Sequence, residues 1–374
     1  MIISEISHEV DGREHTISAY LDNFKLWFTL PLDIGRTDVI DAFVAAALLP
    51  AMHTGQPIVV QSKKPLSPTL LLGLTQLQRI YCQWWPHLNM VDIIAQQGTS
   101  DIQIKSNACF FSGGVDSLYS FVKNRRQLDA LIFVEGIDIQ LDNKSLLDEV
   151  KQKNQAFANT FNIPLINIRS NIRYLPHTFG LSWKKYFCGA GLAATGLLTG
   201  FQTVLIPSSQ PIIDIYPDGT TPITDPLYAS EATRFFYDTP QLRYEKLAFL
   251  SKHRLAMNTL RVCWMDKSYN CGQCEKCLRT RLILRLLNTP CPTLAPLDEL
   301  KPILKWRLRA LEDFKIVENL RRAALHQKDK QVVRLLKYLV WRERLKNGLA
   351  TFEQRLFKGY LKNRVYRLFG ITSQ

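Results

Sequence analysis

The sequence predicts an α/β fold: a mostly parallel sheet with helices on both faces, a small α/β domain before it and a helical tail behind. Three observations carry this. From residue 107, apolar runs of strand length alternate with helical stretches; a glycine-rich loop follows the first of those strands and opens a helix; and four cysteines crowd into residues 263–277. Alternation of this kind belongs to parallel sheets, because parallel neighbours must be joined by a crossover.

A chain of 374 residues, 46% of them hydrophobic, can fold around its own core and is long enough for two domains or one with large additions. Its formal net charge of +14 favours polyanionic partners such as ATP, tRNA or an acidic membrane surface, with solvated surface lysine and arginine as the plain alternative. The start, MIISEISHEVDG, lacks a basic region followed by an apolar core, and AFVAAALLPAM is too short and proline-broken to span a bilayer. A cytoplasmic protein is therefore expected. In a reducing compartment the eight cysteines are not a disulfide framework, and clustered ones point to metal.

Residues 1–104 read as an N-terminal α/β domain without recognisable chemistry. SEISHEV and EHTISAYL alternate apolar and polar residues around Asp11-Gly12, a dipeptide suited to tight hairpins, and FKLWFTL supplies a third strand. Helices follow at DAFVAAALL and TLLLGLTQLQRIYCQWW, separated by the strand-like PIVVQS. Trp84 and Trp85 are expected in a core or an interface.

Residues 105–294 form the alternating domain. Its strands are ACFF, ALIFVEG, LINIRS and TVLIPSS; its helices are DSLYSFVKN, SLLDEVKQKNQAFANTF and CGAGLAATGLL. Ser145 with Asp148 fits a capping box, and Leu147, Val150, Phe157 and Phe161 share one helix face. SGGVDS, residues 112–117, lies at the carboxyl end of the first strand, where such sheets bind ligands. Two glycines let the backbone approach a ligand closely, and loop amides at a helix start form a nest for an anion such as pyrophosphate. Ser112 and Ser117 add hydroxyls. Asp116 would repel bare phosphate, so Mg²⁺ is expected between its carboxylate and the phosphate oxygens.

GxxxxGK[ST] is absent from the chain. The loop instead resembles the PP-loop of the ATP pyrophosphatase superfamily, whose SGGxDS pattern is matched at Ser112, Gly113, Gly114, Val115, Asp116 and Ser117. That resemblance implies an adenine nucleotide α-hydrolase-like domain. It also implies ATP bound by these six residues, catalytic roles for Asp116 and Ser117, and cleavage between the α and β phosphates to form an adenylate.

Cys263, Cys271, Cys274 and Cys277 are spaced C-x7-C-x2-C-x2-C. Four thiolates complete a tetrahedron, so Zn²⁺ in this loop would be structural, with buried thiols or a redox C-x2-C pair as the alternatives. A PP-loop followed by this array resembles QueC-like proteins, relatives of 7-cyano-7-deazaguanine synthase. The resemblance covers about residues 105–290 and implies activation of a carboxylate by ATP for attack by ammonia or an amine. The carboxylate would belong to a deazapurine, another small molecule or a protein. This chain adds about a hundred residues in front and a basic tail behind.

Ser208, Ser209, Asp225, Glu231 and Arg234, in a proline-rich stretch after the last strand, and Asn171 and Arg173, after the third, are substrate-contact candidates by their position at strand ends. Turn-forming and capping roles suit them equally. Lys276, Arg279 and Arg281 flank the cysteines as further cations. Residues 295–374 read as helices, LKPILKWRLRALEDF, VVRLLKYLVWRERL and FEQRLFKGYLKNRVYRLFG, whose basic and aromatic residues suit RNA, an acidic protein or a membrane surface. Two other functions fit the same sequence: a PP-loop enzyme modifying tRNA, and a non-catalytic zinc-containing nucleic-acid-binding protein. A homodimer is compatible with the sequence, which leaves the oligomeric state open.

Overall fold

The computed structural model describes residues 1–35, 40–99, 104–211, 215–238, 241–265 and 267–357. Three strands, β1 (Ile2–Asp11), β2 (Glu14–Leu21) and β3 (Phe24–Pro31), form an antiparallel meander. Its first turn is the expected one, with Asp11 opposite Glu14 and Gly12 at φ +61°. Helix α1 (Asp41–Thr54), β4 (Ile58–Val60), α2 (Pro68–Trp84) and β5 (Ile93–Ile94) follow. Ser67 caps α2 by accepting from the Leu70 amide at 2.9 Å, and Pro68 sits where a helix needs no amide donor.

The alternating region then runs β6 (Ile104–Phe110), α3 (Val115–Asn124), β7 (Ala130–Glu135), α4 (Lys144–Thr160), β8 (Leu165–Ser170), α5 (Leu175–Thr178), α6 (Cys188–Thr199), β9 (Phe201–Ile206) and β10 (Arg234–Tyr237). All ten strands join one mixed, mostly parallel sheet in the order β10, β9, β6, β7, β8, β3, β2, β1, β4, β5. The strands of residues 1–104 thus continue the same sheet, through an antiparallel seam where Phe28 faces Ser170 and Thr29 faces Arg169. Helices α1 and α6 pack on one another, and their alanines and glycines permit the close approach.

Three local readings differ from the structure. The cap of α4 is Asn143, whose side chain accepts from the Leu146 amide at 3.4 Å; Ser145 already lies inside the helix. RFFY pairs with β9 as β10, where an irregular connection was expected, because a short run beside a long parallel strand gains ladder bonds that its sequence alone does not announce. Helix is also expected from Leu300 onward, but only a short turn forms at Lys301–Lys305 before extended chain buries Trp306 and Leu308.

Helices α7 (Arg243–Leu250) and α8 (Arg254–Thr259) lead into the cysteine loop. Grouped by contacts, the chain forms two compact units, Met1–Cys271 and one that starts at Gly272. The second contains α9 (Glu275–Leu286), α10 (Leu311–His326) and α11 (Lys330–Phe357). The last two form a hairpin, and VVRLLKYLVWRERL and FEQRLF belong to one continuous helix. The rest of the expected final helix lies outside the described residues. Among those described, no helix is long and apolar enough to cross a membrane.

Candidate functional site

Strand β6 leads on one side to β7 and β8, yet its other neighbour is β9. Strand order reverses between β6 and β9, and a crevice outside their carboxyl ends is where open α/β sheets hold ligands. Ser112–Ser117 leaves β6 at that crevice, and Ser208 and Ser209 leave β9 beside it. Gly113 has φ +72°, and a Cβ there would lie 2.8 Å from Asn154 Oδ1, so both conformation and space demand glycine. Gly114 is extended and caps α3. The buried Ser117 hydroxyl accepts from the Ser112 amide at 3.3 Å and donates to the Gly114 carbonyl at 3.2 Å, which fixes the loop from inside. The first-turn amides of α3 have no acceptors within the helix, so this end attracts anions.

Asp116 is clamped by two cations from α7. Its Oδ1 accepts from Lys246 Nζ at 2.7 Å, and Arg243 Nη1 lies 3.6 Å from Oδ2. Lys246 is only 2% exposed and also donates to the Ser208 carbonyl and, at 3.2 Å, to Ser208 Oγ. The lysine therefore ties the end of β9 to the start of α3. A carboxylate already holding two cations fits Mg²⁺ poorly, and this differs from the expectation for Asp116. Arg261 joins through its backbone, its amide donating to the Gly113 carbonyl at 2.8 Å, and at the start of α3 two cations meet one carboxylate. The surplus is positive.

Of the other expected contacts, only Ser208 joins this cluster through a hydrogen bond. The Ser209 amide donates to the Tyr237 hydroxyl at 3.1 Å. Asn171 bridges β8 to β3, accepting from the Trp27 amide at 3.1 Å and donating to the Lys25 carbonyl at 2.8 Å. Arg173 donates to the Ile137 carbonyl. Asp225 is fully buried among Thr220, Thr221 and Thr224; burial pushes its pKa up to about 7 against the pull of their hydrogen bonds. Glu231 accepts from the Thr69 amide at 2.8 Å in the first turn of α2. Partial desolvation raises its pKa, but hydrogen bonds from Ser67 and Thr69 outweigh this and hold it below the ordinary range. Arg234 is exposed on β10.

The four cysteines of the array come together. Cys263, Cys271, Cys274 and Cys277 place their sulfurs within 4.8 Å of one another, a set that can hold a metal ion such as zinc. Zinc–thiolate bonds of ~2.3 Å imply sulfur separations of about 3.8 Å, so a modest closure completes a tetrahedron. Gly272 turns the chain at φ +70°, and Cys274 caps α9, whose positive end favours thiolates. Asn270 braces the loop: its Oδ1 accepts from the Val262 and Cys263 amides at 2.8 and 3.2 Å, and its Nδ2 donates to the Leu260 carbonyl at 2.9 Å. One segment, residues 260–263, thus touches both the glycine loop and the cysteine loop. Arg281 donates to the Gly272 carbonyl at 2.8 Å, and Arg279 lies 4.0 Å from Glu275.

Sequence reasoning missed Arg243, Lys246, Asn154 and Arg261. A signal existed for three of them. Arg243, Lys246, Leu247 and Leu250 repeat at helical spacing, which sets two cations on an apolar stripe; Asn154 likewise interrupts the stripe of Val150, Phe157 and Phe161. A polar group on a core-facing stripe needs a partner, and at α7 that partner is Asp116. Comparison of the chain with known protein families, curated proteins and solved structures finds no match, so a functional reading rests on these residues alone.

Proposed function

We propose that this protein is an ATP-dependent, adenylate-forming enzyme resembling the QueC-like branch of the PP-loop superfamily. The observation that carries the reading is a glycine loop at the strand-order reversal, surrounded by more cations than carboxylates. Loop amides from Ser112 to Asp116 hold the β and γ phosphates of ATP. A carboxylate oxygen of the substrate attacks the α phosphorus, the bond to the β-phosphate oxygen breaks, and pyrophosphate leaves. An ammonia or amine nitrogen then attacks the activated acyl carbon and AMP departs. In-line positioning and fixed positive charge supply most of the rate enhancement, because such a transfer asks little covalent chemistry of the protein.

In this reading Ser117 holds the loop's shape, and Asp116 stations Lys246 and Arg243 at its mouth. Mg²⁺ belongs with the ATP phosphates, and Zn²⁺ on the four cysteines keeps the loop at residues 263–277 in place. The substrate is a deazapurine, other small-molecule or protein carboxylate.

The test is the nucleotide product formed when the chain meets ATP, Mg²⁺ and a panel of 7-carboxy-7-deazaguanine, other small carboxylates and tRNA. AMP with pyrophosphate supports adenylation, and the component that triggers it identifies the acceptor. Asp116→Asn is expected to abolish AMP formation; unchanged turnover would remove the loop from the mechanism. A nucleic-acid role has one observation behind it: Trp341, 58% exposed, lines a groove of ≈ 780 Å³ with Lys337 and Arg344 on α11. Salt-dependent RNA affinity without AMP would favour that role.

A further inference from the structure

Two residues that touch the glycine loop carry buried polar atoms without hydrogen-bond partners. Asn154 on α4 is fully buried, and neither Oδ1 nor Nδ2 is paired. Its Oδ1 lies 2.8 Å from where a Gly113 Cβ would be, so the amide sits directly against the loop. Arg261 is 5% exposed, and its Nε and Nη2 are buried without acceptors. Its backbone holds the loop from the opposite neighbour, through the amide bond to Gly113 and a carbonyl 3.6 Å from the would-be Cβ of Gly114.

Such an arrangement costs the empty protein stability. A guanidinium does not shed its proton at physiological pH, so burial cannot be relieved by neutralisation. A buried charge without a counter-charge is strongly unfavourable, and buried amides are ordinarily paired. Elsewhere in the same site the chain satisfies its charges: Lys246 has an anion and two oxygens, and Asp116 has two cations. Asn154 and Arg261, the residues on either side of Gly113 and Gly114, have buried polar atoms that are not so satisfied. What both can bind is an anion presenting several acceptor oxygens.

We propose that Asn154 and Arg261 recognise the pyrophosphate portion of ATP, the Arg261 guanidinium and the Asn154 amide donating to non-bridging oxygens beyond the α phosphorus. This rests on the ATP reading of the loop and goes further, by assigning the leaving group its ligands. Donors on those oxygens gain strength as negative charge builds on departing pyrophosphate, so the pair acts on bond cleavage as well as on binding.

The experiment uses the full chain and two probes, inorganic pyrophosphate and ATP, with calorimetric titration and thermal unfolding of Arg261→Met, Arg261→Lys and Asn154→Leu. Charged hydrogen bonds of this kind are worth roughly 10- to 100-fold in Kd, so Arg261→Met is expected to weaken pyrophosphate by about that factor, Asn154→Leu by roughly 10-fold, and Arg261→Lys by less than Met. The distinguishing readout is the empty protein: with its uncompensated charge removed, Arg261→Met should melt at or above the wild-type temperature while losing the stabilisation that pyrophosphate confers. A lower melting temperature together with wild-type affinity would show the guanidinium to be structural and overturn the proposal. Should Met fail to fold, Lys and Leu carry the test, and wild-type affinity in both overturns it. Wild-type protein that binds neither probe would overturn the ATP reading itself, whereas binding by wild type and variants alike would overturn only the assignment of these two residues.

Discussion

Replacing Lys246 with Met removes the ammonium that joins Asp116 to Ser208. At 2.7 Å and an effective dielectric constant near 20, its attraction to Asp116 is about 6 kcal/mol before desolvation is counted. Arg243, 3.6 Å from the other oxygen, keeps about 5 kcal/mol of the same gross attraction, so the carboxylate is not abandoned. Breaking a fully buried pair costs about 3–5 kcal/mol, and with Asp116 27% exposed the cost falls below that range: roughly 2–3 kcal/mol, including the lost donor at the Ser208 carbonyl. In a chain of this size that is a fall of about 3–4 °C in melting temperature. Denaturant unfolding of wild type, Lys246→Met, Asp116→Asn and the double variant closes a cycle, with an expected coupling of roughly 1–2 kcal/mol. A single variant within about 0.5 kcal/mol of wild type, or a cycle that sums to zero, would refute the clamp.

Three further outcomes are expected. Cys274→Ser should lose bound zinc by elemental analysis and unfold more readily, since metal binding to such loops is coupled to folding; wild-type protein without zinc would overturn the assignment. Gly113→Ala should lose ATP binding and about 1–2 kcal/mol of stability from its positive φ alone, with the contact to Asn154 Oδ1 added. Gly180→Ala, at φ +69° with nothing within 4 Å of the new Cβ, is the control that pays only the conformational part, and equal losses would remove the contact from the account. Asp225 holds its proton to about pH 7, whereas the unfolded chain releases it near pH 4. Its contribution is therefore full below about pH 4 and declines as pH rises to about 7, so wild type should lose stability across that window relative to Asp225→Asn; parallel melting curves would refute the burial argument.

Strands β6 to β9 were legible because buried parallel strands read as short apolar runs, and the glycine loop because only certain residues suit a close anion contact. The cysteine cluster was legible from spacing alone. What stayed hidden is what forms across distance. The seam between β3 and β8 joins residues more than a hundred positions apart and leaves no local mark beyond Asn171, whose amide proved to be a strand bridge. Asp225 and Glu231 looked available because polar residues in proline-rich stretches usually are; in the structure one is sealed beneath threonines and the other serves the start of α2. Lys246 was hidden for the opposite reason, since a lysine is ordinarily read as surface.

Ten strands in one sheet end in two very small edges. Outermost are β10, four residues long, and β5, two residues long. A free edge is a template on which another chain can add a strand, and the hazard grows with the number of unpaired backbone groups in a row. Here each edge offers an incoming strand about one or two rungs, too few to outweigh its loss of freedom. Both edges expose an apolar side chain, Phe236 and Ile94, each 57% accessible, so shortness alone would be a thin defence. On β10 the exposed Arg234 stands two residues before Phe236, and a charge there must be desolvated by anything that docks. Arg234 thus has a use that needs no substrate: it guards the end of the sheet against fibre-like growth.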